Sequence, residues 1–327
     1  RSPKAIVGDN ATILAKAGTT TLWTMQGTSN MVMSDIRFIG QNNCVTVLDT
    51  NWTQSAAPAQ CNHYRKIEAR GATGIVWKAA SNNDSNFDSC VVVAKDWDTV
   101  SLQILANGGH VRLNSCEFLP GIIETNCQSL LIHDGVTSGL RVTNGDDNDI
   151  LYVSGYHYAM GNGMNVEIAT GGVCKNLQVL GGRFENKSTN GVYFGGVGSI
   201  NAILCDAVHF LPTSGATGQK LVADTLTSPA GGYKSPLKLR GGFLTDVSTA
   251  SATNVFVSLE DVNVDGFPKS TIRVGGAGNI VTDGANQLIR FNTPGWGDRG
   301  VLNWMSSSNL TAGQTWTITT LANGSAL

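Results

Sequence analysis

Between Val111 and Phe210 the apolar and polar residues of the chain repeat one short pattern five times. Aligned on their last residue, the copies are Val111–Phe118, Ser129–Val136, Leu151–Tyr158, Leu177–Phe184 and Ile203–Phe210. The first, third and eighth places are apolar in every copy, with Ser129 the exception. Apolar residues two apart have the period of a strand and not of a helix. The copies start 18, 22, 26 and 26 residues apart. Irregular repeats of about 20–30 residues, each holding a short strand, predict a solenoid, in which one repeat cannot bury its apolar face alone and stacks on the next.

Looser copies extend the series in both directions. Upstream they are Ile36–Phe38, Ile67–Ala69 and Val91–Val93; downstream they are Leu237–Leu239 and Val257–Val264. Ten starts predict about ten coils of about 25 residues, enough for three short strands and their turns. The expected fold is all-β, a single chain wound into a parallel coil stack over residues 35–267. Residues 1–34 read as a lead-in that caps it, with Ala11–Ala15 and Thr21–Met25 as short strands. Residues 268–327 read as a small C-terminal β segment, with Val274–Gly278 as a hinge and Trp296, Trp304 and Trp316 in hairpin-like strands. Two stretches interrupt the rhythm, Asp49–Asn62 and Pro212–Pro236, and insertions of this kind leave a solenoid from its turns.

Composition narrows the reading. Charged residues are 14% of 327 and Gly numbers 39, a low-charge, turn-rich composition. A net charge of −2 gives no reason to expect nucleic acid or a membrane surface as partner, and no apolar run reaches the length of a bilayer span. Seven cysteines occur with no Cys-x-x-Cys pair. With Cys205 at an inward place, they read as buried free thiols, which suit folding in a reducing cytoplasm. The chain opens on Arg1 without a signal-like segment, which reads as a fragment or processed product.

Irregular coil lengths, Leu-x-Val and Val-x-Leu strand cores, and Asn-Gly turns such as Asn162-Gly163 and Asn190-Gly191 resemble the right-handed parallel β-helix proteins of the pectin-lyase-like type. Within that group the resemblance is to the central domain of bacteriophage tailspikes, over roughly residues 5–267. It implies a right-handed single-stranded parallel β-helix and a homotrimer served by the C-terminal segment. It also implies attachment to a phage tail or baseplate through a missing N-terminal region. The location implied is the virion, acting outside the host after folding in its cytoplasm. The implied activity is binding, and endo-acting cleavage, of a bacterial cell-surface polysaccharide, capsule or lipopolysaccharide O-antigen, by glycoside hydrolysis or by lyase elimination. A non-catalytic receptor-binding adhesin and a secreted pectin-degrading enzyme are the alternatives.

A stacked coil aligns equivalent places into surface columns. The seventh place gives Glu117, Gly135, His157, Arg183 and His209, the fourth gives Asn114, Ile132, Ser154, Leu180 and Asp206, and the sixth includes Tyr156. Glycoside hydrolysis needs two carboxyl groups about 5–9.5 Å apart, which neighbouring coils can supply. The candidate acids and bases are Glu117, Asp147, Glu185 and Asp206, with His157, Arg183 and His209 positioning the sugar. Trp52, Trp77, Trp97 and Tyr156 are candidate platforms for sugar rings, and Glu167 is a further carboxylate. The acidic run Asn144–Asp149 has the oxygen ligands of a calcium site, but a turn between coils accounts for it, and no metal or cofactor is expected. Polygalacturonases carry an Asp-Asp pair with Gly-His-Gly and Arg-Ile-Lys downstream. Here neither partner motif exists, and the Arg-x-Pro-x-x-Arg of pectate lyases is missing too.

Overall fold

A computed structural model describes residues 4–25, 30–50, 62–81, 84–106, 109–143, 148–213, 215–216, 219–223, 225–226, 235–244, 247–248, 255–260, 262–264, 267–269, 272–274, 287–290 and 301–304. The described residues are all-β, with no helix, and the strands form parallel sheets. The arrangement is consistent with a β-helix-like parallel fold. From Ser85–Asp88 to Val247–Ser248 each pass of the chain lays one strand into each of three parallel ladders, whereas Lys4–Leu14, Met31–Cys44 and Asn62–Ala72 each serve the first two ladders as one long strand. One pass shows the scheme: Asn148–Val153 enters the first ladder, Tyr156–Tyr158 the second and Met164–Ile168 the third. The next pass repeats it with Val173–Leu180, Arg183–Asn186 and Val192–Gly196, paired in register with the strands before. The ladders are already running at Lys4–Leu14 and Thr21–Thr24, which pair in parallel with Met31–Cys44 and Thr46–Thr50. After Val264 the pairing turns antiparallel, through Phe267–Lys269, Ile272–Val274, Gln287–Arg290 and Val301–Trp304.

The interior is built from columns, one side chain per pass. In the first ladder Met33, Tyr64, Phe87, Leu113, Ile132, Tyr152, Val179, Cys205 and Leu239 follow each other on facing strands, all buried. In the second ladder the inward column runs Phe38, Ala69, Val92, Phe118, Thr137, His157, Phe184, Phe210 and Leu244. In the third it runs Leu48, Trp77, Leu102, Ile123, Leu140, Val166, Phe194 and Val222. Apart from the polar pair Thr137 and His157, these columns form one apolar core. Six of the seven cysteines lie among the described residues, and all six are free and buried, as expected.

The register corrects the sequence alignment. Leu113 faces Ile132, which faces Tyr152, and Phe118 faces Thr137, which faces His157. The second and third copies are therefore each displaced by one residue from the expected alignment, so Leu131, Leu151 and Val153 point outward. The reason is physical: in those strands both faces are apolar, so the period of two fits either phase. The upstream copies at Phe38, Ala69 and Val92 fall in the second ladder, level with Phe118 and not with Leu113.

Candidate functional site

One outward column crosses the second ladder from end to end. It reads Thr12, Arg37, Glu68, Val91, Glu117, Val136, Tyr156, Arg183, His209 and Phe243, each on the strand next to the last. Strands in a sheet lie about 4.8 Å apart, so the column extends for roughly 40 Å. Near its start Glu68 pairs with Arg37 at 3.2 Å and with Arg70 at 3.1 Å. Toward its other end it becomes aromatic. Tyr156 is 52% exposed and Phe243 46%, and the His209 and Phe243 rings meet edge to face at 4.5 Å.

Two residues further along the same strands, Tyr158 faces Glu185, which faces Leu211. Arg183 and Glu185 therefore point outward from one strand and form an ion pair at 3.3 Å. The hydroxyl of Thr213, one pass on, donates to Glu185 Oε1 at 3.3 Å. Buried asparagines fix the backbone beneath them. Asn165 Nδ2 donates to the carbonyls of His157 and Glu185, and Asn186 Nδ2 donates to the Gly163 carbonyl and to Asn165 Oδ1. The Glu185 and Gly163 carbonyls also accept from the Ala159 and Val192 amides, so the asparagines add second bonds at these corners, and their own buried amides gain the partners without which burial is costly.

A loop from a distant pass completes the cluster. Asp96 accepts hydrogen bonds from the Asp98 and Thr99 amides and from the Thr99 hydroxyl at 3.1, 2.9 and 2.6 Å. The Thr99 hydroxyl bond, with these amides, holds the Asp96 carboxyl below its usual pKa. Trp97 stands in the tight turn so made and reaches side chains of later passes. Its ring meets Tyr158 at 6.2 Å, and Lys187 Nζ sits 3.3 Å over its centre. Asp98 lies against Gly161, where a Cβ would collide with its carboxylate. Burial lowers the pKa of Lys187, and the charge of Asp98 opposes that shift. The assembled patch is Tyr156, Tyr158, Arg183, Glu185, Lys187, His209, Trp97 and Asp98.

Several expected site residues lie elsewhere. His157 is 2% exposed and belongs to the inward column, so it touches no external ligand. Trp77 is fully buried, packed edge to face on Tyr64 and Phe87 at 4.9 and 5.0 Å with its Nε1 donating to Thr50 Oγ1, and is no sugar platform. Glu117 is exposed in the long column but three passes from the strand of Glu185, roughly 14 Å along the stack. Asp206 stands in the first ladder, round the corner from His209, and pairs with Arg240, whose hydrogen bond holds its carboxyl below the usual range. The strand geometry therefore leaves Glu117, Glu185 and Asp206 dispersed. Trp52 and Asp147 lie outside the described residues, as does most of the acidic run around Asp147.

Sequence reasoning missed Lys187 and Asp98, which reach the patch from turns and carry no repeat signal. It named Glu167 but missed the outward column of the third ladder to which it belongs: Asp49, Lys78, Gln103, Glu124, Arg141 and Glu167 stand on successive strands. There Gln103 donates to Glu124 at 2.7 Å, and Arg141 pairs with Glu167 at 2.8 Å and with Glu124 at 3.8 Å. Arg141 stands between the two carboxylates and tethers neighbouring passes, which suits a structural ladder. Among the described residues no group of three or more His, Cys, Asp or Glu is placed to hold a metal ion. Comparison of the chain with protein-family models, curated proteins and solved structures finds no match.

Proposed function

We propose that this chain is a tailspike-type receptor-binding protein that lays a bacterial surface polysaccharide along the outward face of its second ladder. In this reading the parallel ladders are a right-handed, single-stranded β-helix of about ten coils, and the protein works as a homotrimer on a phage virion. The observation that carries the proposal is the patch around Arg183. Exposed aromatic faces, an Arg–Glu pair and a Trp–Lys contact converge toward the later end of a straight column of outward side chains. Sugar rings present an apolar face for stacking and hydroxyls for paired donors and acceptors, and a straight column suits a linear polymer.

Five outward aliphatic residues favour the oligomer. Leu131, Leu151, Val153, Leu180 and Leu204 occupy four successive strands of the first ladder; Ser129–His133 and Asn148–Val153 are apolar on both faces, and the next two strands each add one outward leucine. Strands of that kind are ordinarily covered on both sides.

Cleavage is the second reading, favoured by one observation: Glu185 and Asp98, carboxylates from distant parts of the chain, border the same aromatic cluster. The test incubates the purified protein with capsule and lipopolysaccharide preparations from candidate hosts. Bound glycan is measured, and soluble products are read by mass spectrometry. Saturable binding lost in Arg183→Ala supports the proposal. Products heavier by water mark hydrolysis, and unsaturated ends mark elimination. If no preparation binds, the proposal fails; if glycan binds and stays intact, cleavage fails and binding stands.

A further inference from the structure

The patch around Arg183 also carries information about the kind of sugar it takes. Its guanidinium is paired and its ammonium is seated on a ring. Arg183 is held by Glu185 at 3.3 Å, and Lys187 lies under the influence of Asp98 while its ammonium rests on the Trp97 ring. A site for an acidic sugar needs a cation free to meet a carboxylate, and a cation already opposed by a carboxylate gains little from a second one. A paired guanidinium and carboxylate instead present donors and acceptors side by side, the complement of vicinal hydroxyls. Beside the pair stands the exposed ring of Tyr156, directly facing Arg183 across the strands, with Tyr158 facing Glu185 in the same way.

We propose that this site recognises an uncharged pyranose unit, stacked by its apolar face on Tyr156 and bonded through its hydroxyls to the Arg183–Glu185 pair. The inference rests on the polysaccharide-binding reading above and adds the class of sugar. Glu185 is then a specificity residue. It accepts hydrogen bonds from the sugar hydroxyls, and it cancels the charge through which Arg183 would otherwise attract uronates.

The experiment has two arms. In the first, a host polysaccharide that binds is competed with glucose, galactose, mannose and rhamnose, and separately with glucuronate, galacturonate and N-acetylneuraminate, at low and at high salt. Saturation-transfer NMR identifies the sugar protons in contact. Neutral sugars are expected to compete, the acids to compete at least about tenfold less well, and affinity to change by less than about threefold with salt. In the second arm, Glu185→Gln leaves Arg183 unopposed. It is expected to lower competition by neutral sugars and raise competition by uronates, reversing their order. Tyr156→Ala, with Glu185 intact, should weaken neutral sugars without that reversal. Preferential competition by the acids, a steep loss with salt, or an unchanged order in Glu185→Gln overturns the inference while polysaccharide binding stands. Failure of every polysaccharide to bind overturns the reading on which it rests.

Discussion

Thr137 Oγ1 and His157 Nδ1 lie 2.8 Å apart inside the second ladder, on facing strands, in a column otherwise continued by Phe118, Phe184 and Phe210. His157 Nε2 is 3.0 Å from the Ser154 carbonyl, which only accepts, so Nε2 carries the proton and Nδ1 accepts from the Thr137 hydroxyl. The imidazole is neutral, packed against Tyr152 at 4.5 Å and Phe184 at 4.9 Å.

This pair predicts how stability depends on pH. Burial pushes the folded His157 pKa down from 6.5 to about 4. Between those values the unfolded chain binds more protons than the folded one, so the contribution is complete above pH 6.5 and is lost as pH falls toward 4. The full effect is about 3 kcal/mol. A double variant, Thr137→Val with His157→Phe, continues the phenylalanine column and removes the titration. Its urea midpoint should fall less than that of the parent protein between pH 6.5 and 4. Parallel curves would show that His157 does not govern this window.

A second prediction concerns the corner that sets up Tyr156. Gly155 has φ of +90°, and a Cβ there would collide with the Gly135 carbonyl, a backbone group that cannot swing aside. Its own carbonyl accepts from the Arg183 amide at 2.9 Å, so the corner also anchors the next pass. Gly155→Ala should cost about 2–3 kcal/mol and weaken glycan binding with it. Gly181 has φ of +73° but open space around it, and Gly181→Asn should cost under about 1 kcal/mol, since Asn tolerates that conformation. Equal losses in thermal unfolding would discount the crowding argument.

How much of this was legible in the sequence depends on which face of a strand carried the signal. Copies one, four and five were readable because Val111, Leu177 and Ile203 are inward and apolar while their neighbours are mostly polar. Copies two and three were not, because Leu131, Leu151 and Val153 are apolar and outward, while Thr137 and His157 are polar and inward. A period of two cannot choose its phase when both faces are apolar. The third ladder, with Trp77 and Phe194 inside, stands at varying distances from the repeat because turn lengths differ, and no fixed spacing reveals it. Arg183, Tyr156 and His209 were found because they ride on the repeat, and Glu185 only as a carboxylate just past it. Lys187 and Asp98 were not, because a turn and a projecting loop bring them in from passes far apart in sequence.

The outward aliphatic group predicts a third outcome. Leu151 and Leu180 lie outside the core, and Leu180 is 38% exposed. If copies of the chain associate through this face, Leu151→Lys with Leu180→Lys should lower the mass seen by light scattering from that of a trimer to that of a monomer. The strands themselves should stay folded, because a solvated lysine is tolerated on an outward place. An unchanged trimer would remove this face from the interface, and a monomeric parent protein would remove the trimer.

Two aromatic residues, both expected from the sequence to be sugar platforms, now separate cleanly by experiment. Trp77 fills the interior between Tyr64 and Phe87, and Trp77→Ala should cost about 3–5 kcal/mol through the cavity it leaves. The fraction that remains folded should bind glycan as the parent does. Tyr156 stands on the outside, and Tyr156→Ala should change stability by no more than about 0.5 kcal/mol. Glycan affinity should fall about tenfold, the worth of one stacked ring at about 1.4 kcal/mol. Calorimetric unfolding and glycan binding on the same samples test both claims together. Loss of binding in folded Trp77→Ala would place the glycan on a different face. Undiminished binding in Tyr156→Ala would move the stacking platform away from the Arg183–Glu185 pair, leaving Trp97 and Phe243 as the aromatic surfaces to test.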